Sequence, residues 1–360
     1  LYRRARKSDP APIGDLVPGN GLAYHPAMPD AYRNLIDILQ ACRRVLVTTH
    51  VRPDGDALGT AAAMVLALRQ AKIEAQVLLL SRLPRKYSFV FEENHIAYHD
   101  AEKGWPVELD VANYDALLVV DTGTWSQLPG LRDRLKEFNK PKLVLDHHLT
   151  QEDWADAKLV VTEAAAAGEI AAEVIDQWEL TIDAPMATAL FLAIASDTGW
   201  FAFSSTRPYT LRLAARLIEA GVDTDRLYQL LYQNEKASRL ALQVRAQQSL
   251  ELLCDNRLAV MRVSREDFER SGADIGDTEN LINIPLQVRT VQVSLLFVES
   301  KEPGPIRVSL RSKGQVDVAR FAEQFAGGGH ARAAGLKLNG RLQEAHDQVV
   351  SAMIVQLSKT

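Results

Sequence analysis

From residue 44 onward the sequence repeats one pattern, a short aliphatic or β-branched run, a polar turn, then a longer segment of helical periodicity. Runs at 45–49, 73–80, 116–120 and 142–145 are expected as strands, and 56–70, 164–178, 185–195 and 210–220 as helices. Short, continuously apolar strands that alternate with helices belong to a parallel sheet buried on both faces. The fold class is therefore α/β, with a parallel-sheet N-terminal domain. Residues 224–253 then carry Leu, Tyr, Val and Ala at helical spacing without Pro or Gly, which predicts one long connector helix. Beyond it the texture changes. Strands at 257–263, 292–299 and 306–311 lie close together, followed by helices at 318–325 and 341–357, which describes a smaller α+β domain. The expected organisation is an irregular Pro-, Gly- and Asp-rich extension over 1–29, a large domain over 30–222, a connector over 223–253 and a second domain over 254–360.

The 360 residues suffice for two cores, and 47% hydrophobic with 24% charged residues excludes a disordered chain or a disulfide mini-fold. A formal net charge of -5 disfavours a protein held to long duplex nucleic acid by bulk electrostatics, but it leaves room for a small anion gripped by local arginines. Cys42 and Cys254 form no metal-type spacing, and a reducing, cytoplasmic location is expected. The longest apolar stretches, 61–68 and 188–195, are too short to span a membrane, and the basic start at 1–7 has no apolar segment after it to make a secretory signal.

Four segments concentrate acids and histidines at the ends of elements. His50, Asp54 and Asp56 follow the first strand, Asp121 follows 116–120, Asp146, His147 and His148 follow 142–145, and Asp197 ends an apolar helix. Ligands of open parallel sheets bind beyond the carboxyl ends of the strands. Carboxylates gathered there repel one another and are costly to desolvate without a cation. Each segment alone reads as a turn or helix cap. Together they form a carboxylate-and-imidazole set suited to Mn or Mg, with enough ligands for two ions and a shared carboxylate.

These segments, HVRPDGD at 50–56, VVDTG at 119–123, DHH at 146–148 and SDTGWF at 196–201, resemble the four motifs of the DHH phosphoesterases. GGGHARAAG at 327–335 and VSLRS at 308–312 resemble the DHH-associated C-terminal domain, and the likeness runs over about residues 35–357. The resemblance implies two Mn ions, for which Mg or Co could substitute. One would be held by His50, Asp54 and Asp121, the other by Asp56, Asp121, His147 and Asp197, with Asp121 bridging. Asp146 would orient an imidazole, and His148 is a candidate donor to the scissile phosphate or leaving oxygen. Gly328 and Gly329, with His330 and Arg332, would cradle a phosphate through bare backbone N–H groups, and Arg311 would grip it with two N–H groups.

The branch it most resembles implies hydrolysis of short oligoribonucleotides to 5′-mononucleotides and of 3′-phosphoadenosine-5′-phosphate to AMP, with no membrane or long-duplex partner; a homodimer is left open. Alternatives are a phosphodiesterase for linear or cyclic dinucleotides, a single-strand exonuclease and, in a different class, a nucleotide-binding regulator. Trp200 and Phe201 are expected to pack the helix end against the sheet rather than stack on a base. Lys313 and Arg289 read as solvated charges, and His25, His95, His99 and His346 as surface residues.

Overall fold

The computed structural model describes residues 29–358 except Lys103 and Gln315, so the expected extension over 1–29 lies outside the described residues but for Pro29. The chain divides into two compact units, one ending at Gln233 and the other starting at Asn234.

In the first unit the strands are β1 Arg44–Thr48, β2 Glu74–Leu79, β3 Tyr98–Asp100, β4 Ala116–Val120, β5 Lys142–Asp146 and β6 Ala157–Val160. They form a wholly parallel sheet in the order β3-β2-β1-β4-β5-β6. The helices are α1 Pro29–Gln40, α2 Gly55–Gln70, the short α3 Ser88–Glu92 and α4 Leu131–Arg134, then α5 Ala167–Gln177, α6 Ala184–Asp197, α7 Pro208–Glu219 and α8 Thr224–Tyr232. One face of the sheet is sealed by a core that includes Tyr32, Leu58, Met64, Ile170 and Leu190, the other by Leu109, Tyr114, Leu131 and Phe138. Strand β4 is buried at all five positions, which explains its unbroken Ala-Leu-Leu-Val-Val. Each fully buried leucine of these cores contributes roughly 1.5–3 kcal/mol.

Helices α2 and α6 are apolar nearly all round and pack closely. Gly59 permits the contact, because a Cβ there would stand 2.4 Å from the Ala189 carbonyl oxygen. Since β1 leads to β2 and β3 on one side, and β4 to β5 and β6 on the other, the direction of winding reverses between β1 and β4. A crevice opens at such a point, beyond the carboxyl ends of the strands.

The second unit holds α9 Ala237–Gln248, α10 Arg265–Ser271, α11 Val318–Glu323 and α12 Leu342–Leu357, with strands β7 Glu251–Leu253, β8 Leu258–Val263, β9 Val293–Val298, β10 Ile306–Ser312, β11 Gly328–His330 and β12 Ala333–Leu338. The sheet order is β11-β12-β10-β9-β8-β7, with β8 and β9 parallel and the other pairs antiparallel.

Two expectations are corrected. The single connector helix is two helices, α8 and α9, because Gln233 leaves helical geometry at φ -122°, ψ 20° and Lys236 is extended. The intervening Gln-Asn-Glu-Lys has no apolar side chain to hold a helix against a core, and 251–253 pairs as strand β7. His346 is not a surface residue. It is 6% exposed, packs on Phe297 and lies 2.9 Å from Asp347. His95 is exposed and His99 half-buried, while His25 lies outside the described residues.

Candidate active site

The crevice at the β1/β4 ends gathers the acids and imidazoles into one cluster. The turn after β1 places His50, and Asp54 caps α2 by accepting from the N–H groups of Asp56 and Ala57, both at 3.1 Å. This cap engages its Oδ1. Asp56, one residue into α2, is 1% exposed. Its carboxylate accepts from Ala167 N at 2.7 Å, Gly168 N at 3.0 Å and Thr60 Oγ1 at 3.0 Å. The first N–H groups of α5 therefore fix it, and the positive end of that helix favours its charge.

Asp121 follows β4 with a left-handed backbone, φ 61°, which for a residue other than glycine stores about 1 kcal/mol or more. That conformation goes with two different neighbours for its two oxygens. Oδ2 lies 3.4 Å from His50 Nε2, and Oδ1 lies 3.4 Å from His147 Nε2. His147 Nε2 is also 3.7 Å from Asp56 Oδ2 and 3.7 Å from Asp197 Oδ2. Both rings are tethered at Nδ1, His50 to the Val51 carbonyl at 3.0 Å and His147 to the Ala164 carbonyl at 3.2 Å. Those carbonyls accept from Nδ1–H and leave each Nε2 facing the carboxylates, the arrangement of a metal ligand.

The donor atoms fall into groups close enough to share a cation: His50 with Asp54 and Asp121; Asp56 with His147 and Asp197; and Asp121 with His147 and His148. Asp121 Oδ1 is buried without a hydrogen-bond partner. An orphaned carboxylate oxygen in a pocket of carboxylates and imidazoles fits a divalent ion, so the residues present suit the metal.

Electrostatics agree. Burial pushes the Asp56 carboxyl well above its ordinary range, the Asp121 charge adds to this, and His147 opposes it. Burial also raises Asp197. Asp121 stays low despite burial because the imidazoles of His147 and His50 beside it favour its charge. Burial would lower the two imidazoles, but the Asp121 carboxylate beside them prevails, lifting His50 to about 9 and His147 to about 10. Protonated imidazoles thus supply the cationic charge, and a metal binding here displaces protons.

Asp146, fully buried at the end of β5, takes no direct place among the three ligand groups. Its Oδ1 accepts from His147 N at 2.8 Å, His148 N at 3.2 Å and His148 Nδ1 at 2.8 Å. Gln151 donates to its other oxygen. It therefore fixes the backbone under both histidines and aims the half-exposed His148 ring. A Cβ on Gly123 would meet the Gln151 amide oxygen at 1.8 Å, so a side chain there would push Gln151 off Asp146. Sequence reasoning missed Gln151, Thr60, the Ala164 carbonyl and the first turn of α5.

Trp200 and Phe201 are partly buried against the core that covers one face of the sheet. They ring-pack on Phe191 of α6, and Trp200 also meets Tyr228 and Tyr232 of α8, with its Nε1 donating to Tyr232 Oη at 2.7 Å.

In the second unit the expected glycine loop is an edge strand. Gly328, Gly329 and His330 pair with Gly335, Ala334 and Ala333. A Cβ at Gly329 would stand 2.4 Å from the Ala333 carbonyl oxygen, so close strand approach requires that glycine, whereas Gly328 faces open space. Arg311 pairs with Ala333 on the other side of β12, which puts Arg311 and His330 in one row of the sheet. His330 and Arg332 are exposed, and Arg311 is half-buried. Lys313 is not a free surface charge, because its Nζ donates to the Leu286 and Val288 carbonyls.

The DHH family N-terminal domain matches residues 44–194, and the DHHA1 domain matches residues 255–358. The chain belongs to the DHH family. It is 30% identical over 346 residues to the bifunctional oligoribonuclease and PAP phosphatase NrnA of Thermus thermophilus, covering 94% of this chain and 98% of that one. The Bacillus subtilis protein of the same name is 26% identical over 313 residues, covering 84% and 92%. Among solved structures, an exopolyphosphatase-related protein from Bacteroides fragilis shares the fold with a TM-score of 0.73 at 22% identity, over 91% of this chain and 97% of that one. An exonuclease RecJ bound to manganese gives 0.52 at 16% identity, over 94% and 96%. As a DHH-family protein, the chain carries its acid–histidine cluster wholly inside the segment matched by the N-terminal domain, apart from Asp197 just beyond it.

Proposed function

We propose that the protein is a two-metal phosphoesterase that hydrolyses short oligoribonucleotides to 5′-mononucleotides and 3′-phosphoadenosine-5′-phosphate to AMP, in the cytoplasm. The near full-length likeness to proteins named bifunctional oligoribonuclease and PAP phosphatase supports the substrate class. The observation that carries the chemistry is Asp121, whose two oxygens each lie 3.4 Å from a different tethered imidazole. Two Mn ions would sit with His50, Asp54 and Asp121 on one side, and Asp56, Asp121, His147 and Asp197 on the other. When bound, such a pair activates water for in-line attack and neutralises charge gathering on the phosphoryl oxygens.

The chain's own residues do the rest. Val51 and Ala164 hold the rings of His50 and His147 in one tautomer. Asp146 holds His148 Nδ1, so its Nε2 is free to donate to the phosphate or the leaving oxygen, and the hydrogen bond to Asp146 raises the affinity of that ring for its proton. Arg311, Gly328, Gly329, His330 and Arg332 would anchor substrate phosphate away from the reacting bond. No side-chain nucleophile is needed, and Cys42 is buried beside Ile38.

Steady-state kinetics with Mn on RNA of two to twenty-four nucleotides, and on the nucleoside bisphosphate, test this reading. Local phosphate contacts and a net charge of -5 argue against affinity that grows with length, and the family resemblance supplies the expected preference for about two to five nucleotides. A kcat/KM that climbs steadily with length overturns it in favour of a strand-tracking exonuclease.

A further inference from the structure

One face of the second sheet is covered over only half its width. Register sets Val263, Val298, Arg307 and Lys337 in one row, and Met261, Leu296, Ser309 and Gly335 in the next. On β8 and β9 these rows are buried with Leu242, Phe268 and Leu281. On β10, β12 and β11 the same face is open, with Arg307, Lys337, Gly335 and His330 exposed. The apolar half stands as a wall beside a bare shelf.

Two cationic rows bound this shelf. At one end lie Arg311 and His330, in register through Ala333. At the other, Arg307 is directly opposite Lys337. Like charges facing across a strand pair repel and weaken the sheet. The ion pairs of this unit draw on other cations such as Arg262 and Arg320, and among the described residues none engages Arg307, Lys337 or Arg311. Between the rows there is little but backbone. Ser309 is small, Gly335 has no side chain, and Gly328 beside it has nothing within 4 Å of where a side chain would stand. Four residues along β10 separate the rows by ~14 Å.

We infer that the shelf is a two-row anion track. The Arg311–His330 row takes one phosphate, and the Arg307–Lys337 row takes another phosphate of the same chain, which relieves the repulsion between those two cations. Two phosphates on a single ribose sit too close together to use both rows. The second row therefore favours oligonucleotides and is indifferent to a nucleoside bisphosphate. The identity of the ligand rests on the function proposed above.

The test is binding by the full chain with Ca in place of Mn, so that turnover does not intervene. The probes are a labelled five-nucleotide RNA and 3′-phosphoadenosine-5′-phosphate. The double variant Arg307→Ser with Lys337→Ser should bind the RNA about tenfold more weakly and the bisphosphate unchanged, because only the RNA gives up charge-assisted hydrogen bonds. The slope of log affinity against log salt for the RNA should shrink by about 0.7 for each phosphate that is no longer neutralised. Arg307→Lys, which keeps the charge, should retain most of the RNA affinity. Removing a repulsive pair should not lower the melting temperature, so a weakened fold does not mimic the effect. Unchanged RNA affinity, or equal losses for both ligands, overturns the shelf. Hydrolysis of the same RNA by the native protein with Mn is scored separately. Its absence would sink the proposed function while the binding arm still decides the track.

Discussion

Asp146 and His148, two residues apart, face each other at 2.8 Å, and the same carboxylate oxygen accepts from the backbone N–H of His147 between them. One buried side chain thus sets both the ring expected to meet substrate and the backbone of a ring expected to meet metal. Asp146→Ala leaves those donors without a partner, each costing about 1–3 kcal/mol where buried. Supporting groups of this kind typically change metal affinity by about 10–100-fold. We expect calorimetric titration of the variant with Mn to show a loss in that range. Native affinity would mean that Asp146 serves packing alone.

Asp121 tests the bridge. Asn is the apt replacement, since it tolerates the left-handed backbone found there. Asp121→Asn should fold, yet bind fewer than the two Mn equivalents expected of the native protein and lose nearly all turnover. Elemental analysis after desalting decides the matter, and two retained ions with intact activity would overturn the assignment.

Chemistry and anchoring should separate. His330 is exposed on an edge strand of the second sheet, and no candidate metal group among the described residues includes it. His330→Ala should keep Mn affinity and lower kcat/KM for nucleotides by about tenfold or more, while a small activated phosphodiester is cut almost as before. Equal losses on both substrates would reject the division of labour.

Packing beneath the site has its own signature. In a free helix Gly→Ala gains about 1 kcal/mol. At Gly59 the new methyl would stand 2.4 Å from the Ala189 carbonyl oxygen and 2.9 Å from the Ala193 nitrogen, both backbone atoms that cannot swing aside. Overpacking of about 1–3 kcal/mol should prevail, so the melting temperature of Gly59→Ala should fall. A rise would show that α2 and α6 can part without penalty.

Acid stability has a local contribution remote from the crevice. Asp115 accepts from the Arg43 and Arg44 N–H groups at 2.8 and 3.0 Å, and these bonds hold its carboxyl below the usual range. A depressed folded-state pKa gives stability that is present above the unfolded value and lost as pH falls through the folded one. Asp115→Asn should therefore melt below the native protein at neutral pH, with the gap closing in acid. A gap independent of pH between neutrality and about pH 3 would contradict this.

The sequence made the parallel sheet legible because β4 is buried at all five positions, and β1 and β5 at all but the first, so their central residues must be apolar. It made the acids and imidazoles legible because each lies at or beside an element end. What supports them was not legible. The Ala164 carbonyl and the Ala167 and Gly168 N–H groups are backbone, and backbone carries no residue-type signal. Strands β11 and β12 escaped notice because Gly328, Gly329, Ala333, Ala334 and Gly335 lack the β-branched side chains by which strands are recognised. The break between α8 and α9 escaped because helical periodicity resumes on both sides of it.

The reversal of winding between β1 and β4 also governs when the cluster can exist. His50 and Asp121 are neighbours only through the pairing of two strands with β2 and β3 threaded between them in the chain, and Asp197 arrives later still with α6. No fragment ending before β4 can hold the pair, and a nascent chain acquires its ion affinity only once the central strands have docked. Ions that bind the native arrangement alone draw the equilibrium towards it by mass action. Removing the ions with a chelator should therefore lower the melting temperature of the chain.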